Sequence, residues 1–148
     1  MKIIAIDPGS VSAAFAILDG DDLTFAGDVP VVDKMVDGAG FARLVDLLQP
    51  TVAIIEQVSA MPKQGVTSSF RFGMGTGILR GVIAGAGVPL HQVAATKWKK
   101  HFGLNNEAEK SRALAIRLWP EHGSFSRVKD HNRAEAALLA RYLAETMK

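Results

Sequence analysis

The segment Thr51-Val52-Ala53-Ile54-Ile55-Glu56 is apolar from end to end until it closes in an acid. A strand with one face in water alternates apolar and polar residues. An unbroken apolar run instead belongs to a strand covered on both faces. Such a strand needs a sheet with helices packed on it, and the rest of the chain supplies them. Lys2 to Asp7 is a second β-branched apolar run, ended by the Pro8-Gly9-Ser10 turn. Ser12 to Leu18 and Leu23 to Val29 are strands joined by the tight turn Asp19-Gly20-Asp21-Asp22, so three antiparallel strands open the chain. Pro30 to Ala39 reads as loop, and Phe41 to Leu48 as a helix stopped by Pro50. After a loop over Met61 to Thr67, a long helix capped by Ser68 or Ser69 runs to about Ala84. Pro89 to Val93 is the fifth strand. Helices over Ala95–Phe102 and Glu107–Leu118, a loop over Glu121–Lys129 and a helix over Asp130–Met147 complete the chain. The expected fold is a single α/β domain over residues 1–148, with a mixed sheet flanked by helices.

Composition narrows the functional classes. Of 148 residues, 48% are hydrophobic and 22% charged, the balance of a folded domain and not of a disordered or collagen-like chain. The most apolar stretch, Gly77 to Val88, is interrupted by Arg80 and is too short to cross a bilayer. The absence of cysteine excludes a disulfide scaffold, a thiolate zinc site and a cysteine nucleophile. No signal-peptide cleavage site follows the first residues, so the expected compartment is the cytoplasm, with no membrane association.

Charge is unevenly spread. Residues 1–56 hold Lys2, Lys34 and Arg43 against nine acids, whereas residues 57–106 hold Lys63, Arg71, Arg80, Lys97, Lys99 and Lys100 with no acid at all. A stretch of this kind either forms a positive face that collects polyanions or is solvated surface whose counter-charges lie elsewhere. Aromatic residues are interleaved with the bases in Phe70-Arg71-Phe72 and Lys97-Trp98-Lys99-Lys100-His101-Phe102, a mixture suited to phosphate contact and base stacking. Trp98 and Phe102 also stand four apart, the spacing of a buried helix side.

Two apolar strands end in acids, Asp7 and Glu56. Ligands of open α/β sheets gather outside the carboxyl ends of strands; if these two strands lie side by side the carboxylates converge there and call for a cation, and otherwise each acid caps a turn or pairs with a lysine. Oxygen-only ligands favour Mg²⁺ or Mn²⁺. A third acid, Glu135, shares a helical stripe with Leu138, Leu139 and Tyr142, and so projects from the face that must pack on the sheet. It requires either a metal or a basic partner from a neighbouring segment. His131 lies one turn earlier on that stripe, and Asp130 at the helix start points either to the site or to helix N–H groups. Gly73, Gly75, Gly77 and Gly81 inside the long helix cost roughly 1 kcal/mol each relative to Ala. The Gly73/Gly77/Gly81 face therefore marks a close approach, to a second copy across a two-fold axis or to the chain's own sheet.

Taken in order, Ile6-Asp7-Pro8-Gly9, Ile54-Ile55-Glu56-Gln57, Gly77-Ile78-Leu79-Arg80-Gly81 and Asp130-His131-Asn132-Arg133-Ala134-Glu135-Ala136 resemble the RuvC family of Holliday-junction resolvases. The resemblance spans nearly the whole chain, and its brevity suits a bacteriophage-type member. It implies an RNase H-like five-stranded sheet, three strands antiparallel and then two parallel. It also implies a homodimeric, metal-dependent endonuclease that resolves four-way and other branched DNA by paired nicks. Two Mg²⁺ (or Mn²⁺) ions would leave 5′-phosphate and 3′-hydroxyl ends, with no organic cofactor. Asp7, Glu56 and Glu135 become the metal ligands, Glu135 standing where the family has a final aspartate. The fourth position falls to His131 by helix geometry or to Asp130 by charge. Phe70, or Phe72, is the aromatic expected to wedge into the junction. Lys63, Arg71, Arg80, Lys97, Lys99, Lys100, Lys110 and Arg112 are the phosphate-binding candidates, although Glu107 and Glu109 are placed to neutralise Lys110 and Arg112. Alternatives are a RuvX-like RNA-processing nuclease and a non-catalytic junction binder. A sugar-kinase or actin-like phosphotransferase needs two such domains and a phosphate loop that this chain lacks.

Overall fold

Every second residue of a strand faces the same side of its sheet, and this chain buries both sides of its central strands. In the computed structural model, which describes residues 1–9, 12–60 and 62–147, β1 (Lys2–Asp7) pairs antiparallel with β2 (Ala14–Asp19) and parallel with β6 (Val52–Gln57). The full sheet runs β3 (Asp22–Asp28), β2, β1, β6, β7 (Leu90–Ala94), with β3 antiparallel to β2 and β7 parallel to β6. This is the expected arrangement of three antiparallel and two parallel strands. Ser10 and Met61, which enter the expected turn after β1 and the loop after β6, lie outside the described residues.

The even residues of β1 and the odd residues of β6 (Ile4, Ile6, Ala53 and Ile55) bury one face with Phe15 and Ile17, against α1 (Gly38–Leu48) and α2 (Val66–Gly85). Phe41 and Val45 come from α1 and Leu79 and Ile83 from α2. Ile3, Ala5, Val52 and Ile54 bury the other face beneath α5 (His131–Thr146), with α3 (Ala95–His101) and α4 (Ala108–Leu118) beside it. The contact face of α5 is built of Ala134, Ala137, Leu138 and Ala140, small enough for the helix to lie low on β1 and β2.

Several local expectations shift. The span Pro30–Ala39 is not all loop: Val31–Val32 (β4) pairs with Met35–Val36 (β5) around Asp33 and Lys34, both with positive φ, and α1 begins at Gly38 with Asp37 as its side-chain cap. The long helix α2 begins at Val66, and Gly65, not Ser68 or Ser69, is its N-cap; Gly65 contributes no side-chain bond. The loop before α5 contains 3-10 turns at Gly123–Phe125 and Val128–Asp130. The glycine face of α2 does not meet the chain's own sheet, which removes one of its two expected roles. The buried stripe of α2 is Gly75, Leu79 and Ile83, whereas a Cβ at Gly73, Gly77 or Gly81 would meet nothing within 4 Å. Two residues of offset is about 200° around a helix, so these three glycines face away from the chain's own sheet. Of the α2 glycines, Gly75 alone is approached by a described residue outside the helix, Val36 of β5 at 3.5 Å being the nearest.

Candidate active site

Strand parity brings the acids together. Asp7 shares its side of the sheet with Ile3 and Ala5, and Glu56 shares its side with Val52 and Ile54; both therefore project towards α5. Because β1 and β6 are parallel neighbours with Ile6 opposite Ile55, their carboxyl ends coincide. Glu135 descends from α5, one stripe with the buried Leu138, Leu139 and Tyr142, as its spacing predicts.

Asp7 is only 5% exposed. Its Oδ1 accepts the Gly9 N–H at 3.2 Å, while Oδ2 is buried without a hydrogen-bond partner among the described residues. Gly9 makes this loop possible: its φ is +52°, and a Cβ there would fall 2.0 Å from the Ser12 carbonyl oxygen. That carbonyl also accepts from the Asn132 side chain at 3.0 Å, which ties the loop after β1 to the first turn of α5. Burial, then the charges of Glu135 and Glu56, push the Asp7 carboxyl well above its ordinary range, against smaller opposing effects of Gly9 and Lys99.

The other two acids are held by α3 and α4. Trp98 Nε1 donates to Glu56 Oε2 at 2.8 Å. Burial raises the Glu56 carboxyl, the Trp98 bond lowers it, Glu135 raises it and Lys99 lowers it. Glu135 Oε1 receives the hydroxyl of fully buried Ser111 at 3.2 Å and the Lys99 ammonium at 3.2 Å. The three acids thus feel one another, yet two are turned onto neighbouring donors. Among the described residues no group of three or more His, Cys, Asp or Glu side chains is arranged to hold a metal ion. The donor set nonetheless fits a hard divalent cation: three carboxylates, no nitrogen or sulfur, and a buried carboxylate oxygen that accepts no hydrogen bond from the described residues.

Asp130 lies elsewhere. Its carboxylate accepts the Arg127 backbone N–H at 2.9 Å and the Arg127 side chain at 2.8 Å, with Arg133 at 3.6 Å. Burial opposes its ionisation, but Arg127 and then Arg133 hold it below the usual range. It is the N-cap residue of α5 but makes no side-chain capping bond there; its carboxylate closes the 3-10 turn instead. His131 is partly exposed, with Nδ1 3.4 Å from the Val128 carbonyl.

The basic candidates divide into two groups. Lys63, Arg71, Arg80, Lys97 and Lys100 are exposed, and Phe70 is 67% exposed on α2. Arg71 and Lys34 line a cleft of about 470 Å³ with Pro8, Gly9 and Phe72, beside the loop that follows Asp7. Arg80 lines a smaller recess with Glu56 and Gln92. Lys99, by contrast, is spent on Glu135, Lys110 on Glu107 at 3.5 Å, and Arg112 on both oxygens of Glu109 and the carbonyls of Phe125 and Ser126. Trp98 is no stacking platform for bases: it is wholly buried, edge-on to Phe102. Sequence reasoning missed Trp98 and Ser111 as supports of the acids. Trp98 carried one signal, a lone indole donor in a helix rich in lysine; Ser111 carried none.

No protein-family profile and no curated protein matches the sequence. Solved structures of the same fold do exist. They include Thermus thermophilus RuvC in complex with a Holliday junction substrate (14% identity, TM-score 0.74, 99% of this chain and 96% of that one). The fowlpox virus Holliday junction resolvase aligns over 100% of both chains at 16% identity and a TM-score of 0.63. The yeast mitochondrial Holliday junction resolvase Ydc2 aligns at 14% identity and a TM-score of 0.60, over 96% of this chain and 77% of that one. The fold is therefore that of RuvC-like resolvases.

Proposed function

We propose that this chain is a divalent-metal-dependent endonuclease that cuts four-way and other branched DNA. The observation that carries the reading is the gathering of Asp7, Glu56 and Glu135 at the shared carboxyl end of β1 and β6, in a fold found in bacterial, poxviral and yeast mitochondrial resolvases. Asp7, Glu56 and Glu135 would hold the metal. Two bound Mg²⁺ or Mn²⁺ ions would supply the charge that activates water for in-line attack and stabilises the leaving 3′ oxygen, giving 5′-phosphate and 3′-hydroxyl ends.

The chain's own residues prepare that chemistry. Gly9 aims one Asp7 oxygen, and the other meets no donor among the described residues. Trp98 and Ser111 fix Glu56 and Glu135 so that little rotamer freedom is left to lose when substrate arrives. His131, one turn before Glu135 and partly open to solvent, is assigned the proton of the attacking water. Arg71 and Lys34 beside the Asp7 loop, with Lys97 and Lys100 on α3, bind backbone phosphates, and exposed Phe70 is the junction wedge. Such contacts position DNA without reading sequence. A homodimer would use the outward Gly73/Gly77/Gly81 face of α2, with exposed Met74 alongside. A strictly monomeric, fully active protein would remove the dimer from this reading.

The deciding experiment incubates the protein with a four-way DNA junction, a nicked duplex and a structured RNA, each with Mg²⁺ or with EDTA. Paired, Mg²⁺-dependent nicks in the junction are the expected result. Cleavage confined to RNA would move the chain to RNA processing, and junction binding without cleavage would make it a binder.

A further inference from the structure

Lys99 occupies a position that a surface lysine of a DNA-binding helix ordinarily does not. Its neighbours Lys97 and Lys100 reach solvent, but the Lys99 side chain is 12% exposed and its Nζ stands 3.2 Å from Glu135 Oε1. The ammonium lies 5.5 Å from the centre of the Trp98 ring, which walls it in. It is also the cation whose charge favours the ionised forms of both Asp7 and Glu56. One short helix thus clips two acids with consecutive residues, Trp98 on Glu56 and Lys99 on Glu135.

A cluster of buried carboxylates is unstable without positive charge, and an ammonium offers three donors to the same oxygen lone pairs that a metal would take. Both cannot hold Glu135 in full. We propose that Lys99 is a resident counter-ion, which offsets part of the acid cluster's charge in the DNA-free protein and must surrender Glu135 before a divalent ion is fully ligated. The chain's metal affinity is then set by this competition as well as by its acids. The inference rests on the metal reading above and concerns a residue that reading uses only as a neighbour.

The test is Mn²⁺ binding by the DNA-free protein, followed by calorimetry, for wild type, Lys99→Met, Lys99→Arg and Asp7→Asn. Lys99→Met keeps the length of the stem and removes the charge. It is expected to bind Mn²⁺ about tenfold more tightly than wild type, the scale of one charge-assisted hydrogen bond. Lys99→Arg should stay near wild type. A second readout needs no variant: mass-spectrometric labelling with an amine reagent should find Lys99 more reactive when Mn²⁺ is present. Equal or weaker binding by a folded Lys99→Met, or Lys99 no more reactive with Mn²⁺ while wild type binds the ion, overturns the competition alone. Wild type that binds no Mn²⁺, or Asp7→Asn that binds it as well, overturns the metal reading and the competition with it.

Discussion

Replacing Asp7 with Asn separates the folding role of this carboxylate from its chemical one. In the metal-free protein, Asp7 is a buried acid facing two others, with one oxygen lacking a donor among the described residues. Asn keeps the acceptor for the Gly9 N–H and puts an NH₂ where the orphaned oxygen stood, within a group of carboxylates that can accept from it. Relieving a buried unsatisfied polar atom stabilises by about 1–3 kcal/mol. Spread over the unfolding entropy of a domain this size, at roughly 3 °C per kcal/mol, that is a rise of about 3–9 °C in Tm. The pH dependence has a definite sign. The carboxyl is raised above its ordinary value of 3.8 in the folded chain, so wild-type stability from this group is intact below that value. It is lost as the pH climbs through the raised one. Thermal melts in EDTA should therefore show the variant ahead of wild type at pH 8 and the difference shrinking towards pH 4. Mg²⁺ should stabilise wild type and leave the variant unmoved, and junction cleavage by the variant should be lost. A variant less stable than wild type at pH 8 in EDTA, or a gain that does not depend on pH, would refute the account of a strained acid cluster.

Four further outcomes follow from the same geometry. Trp98→Phe removes the donor that lowers Glu56, costing about 1.5–3 kcal/mol for a hydrogen bond to a charged group; the acidic limb of the pH–rate profile should move to higher pH, measured on a junction substrate. Asp130→Asn weakens the Arg127 and Arg133 contacts and should lower Tm by roughly 3–9 °C, from a loss of about 1–3 kcal/mol, while cleavage at a permissive temperature persists. Arg71→Ala or Lys100→Ala should weaken junction binding and reduce the slope of log K against log salt by about 1 in a filter-binding titration. Arg112→Ala should leave that slope unchanged and lower Tm instead, because its guanidinium ties α4 to the Phe125 turn.

The layered sheet was legible from local pattern alone. An apolar run ending at Glu56, another ending at Asp7, and a stripe carrying Glu135 are statements about side-chain period, and period follows from backbone geometry regardless of what lies nearby. The same periodicity sent all three acids to one face. Boundaries moved by a few residues where turn chemistry decided, as at the Val31–Val36 hairpin, whose positive-φ residues Asp33 and Lys34 are not glycine and gave no advance notice. What only the tertiary structure decided is how each charge is spent. Lys99 and Lys100 are adjacent, equally basic and equally plausible at a phosphate, yet one is half-buried on Glu135 and the other faces solvent. Asp130 and Glu135 share a motif, yet one is held by Arg127 and the other by Lys99 and Ser111. Ion pairs and hydrogen bonds between elements depend on which helix face meets which strand end. The Lys99 and Ser111 contacts to Glu135 are fixed by packing between separate helices and are contained in no local stretch of sequence, whereas the Arg127–Asp130 pair closes within three residues.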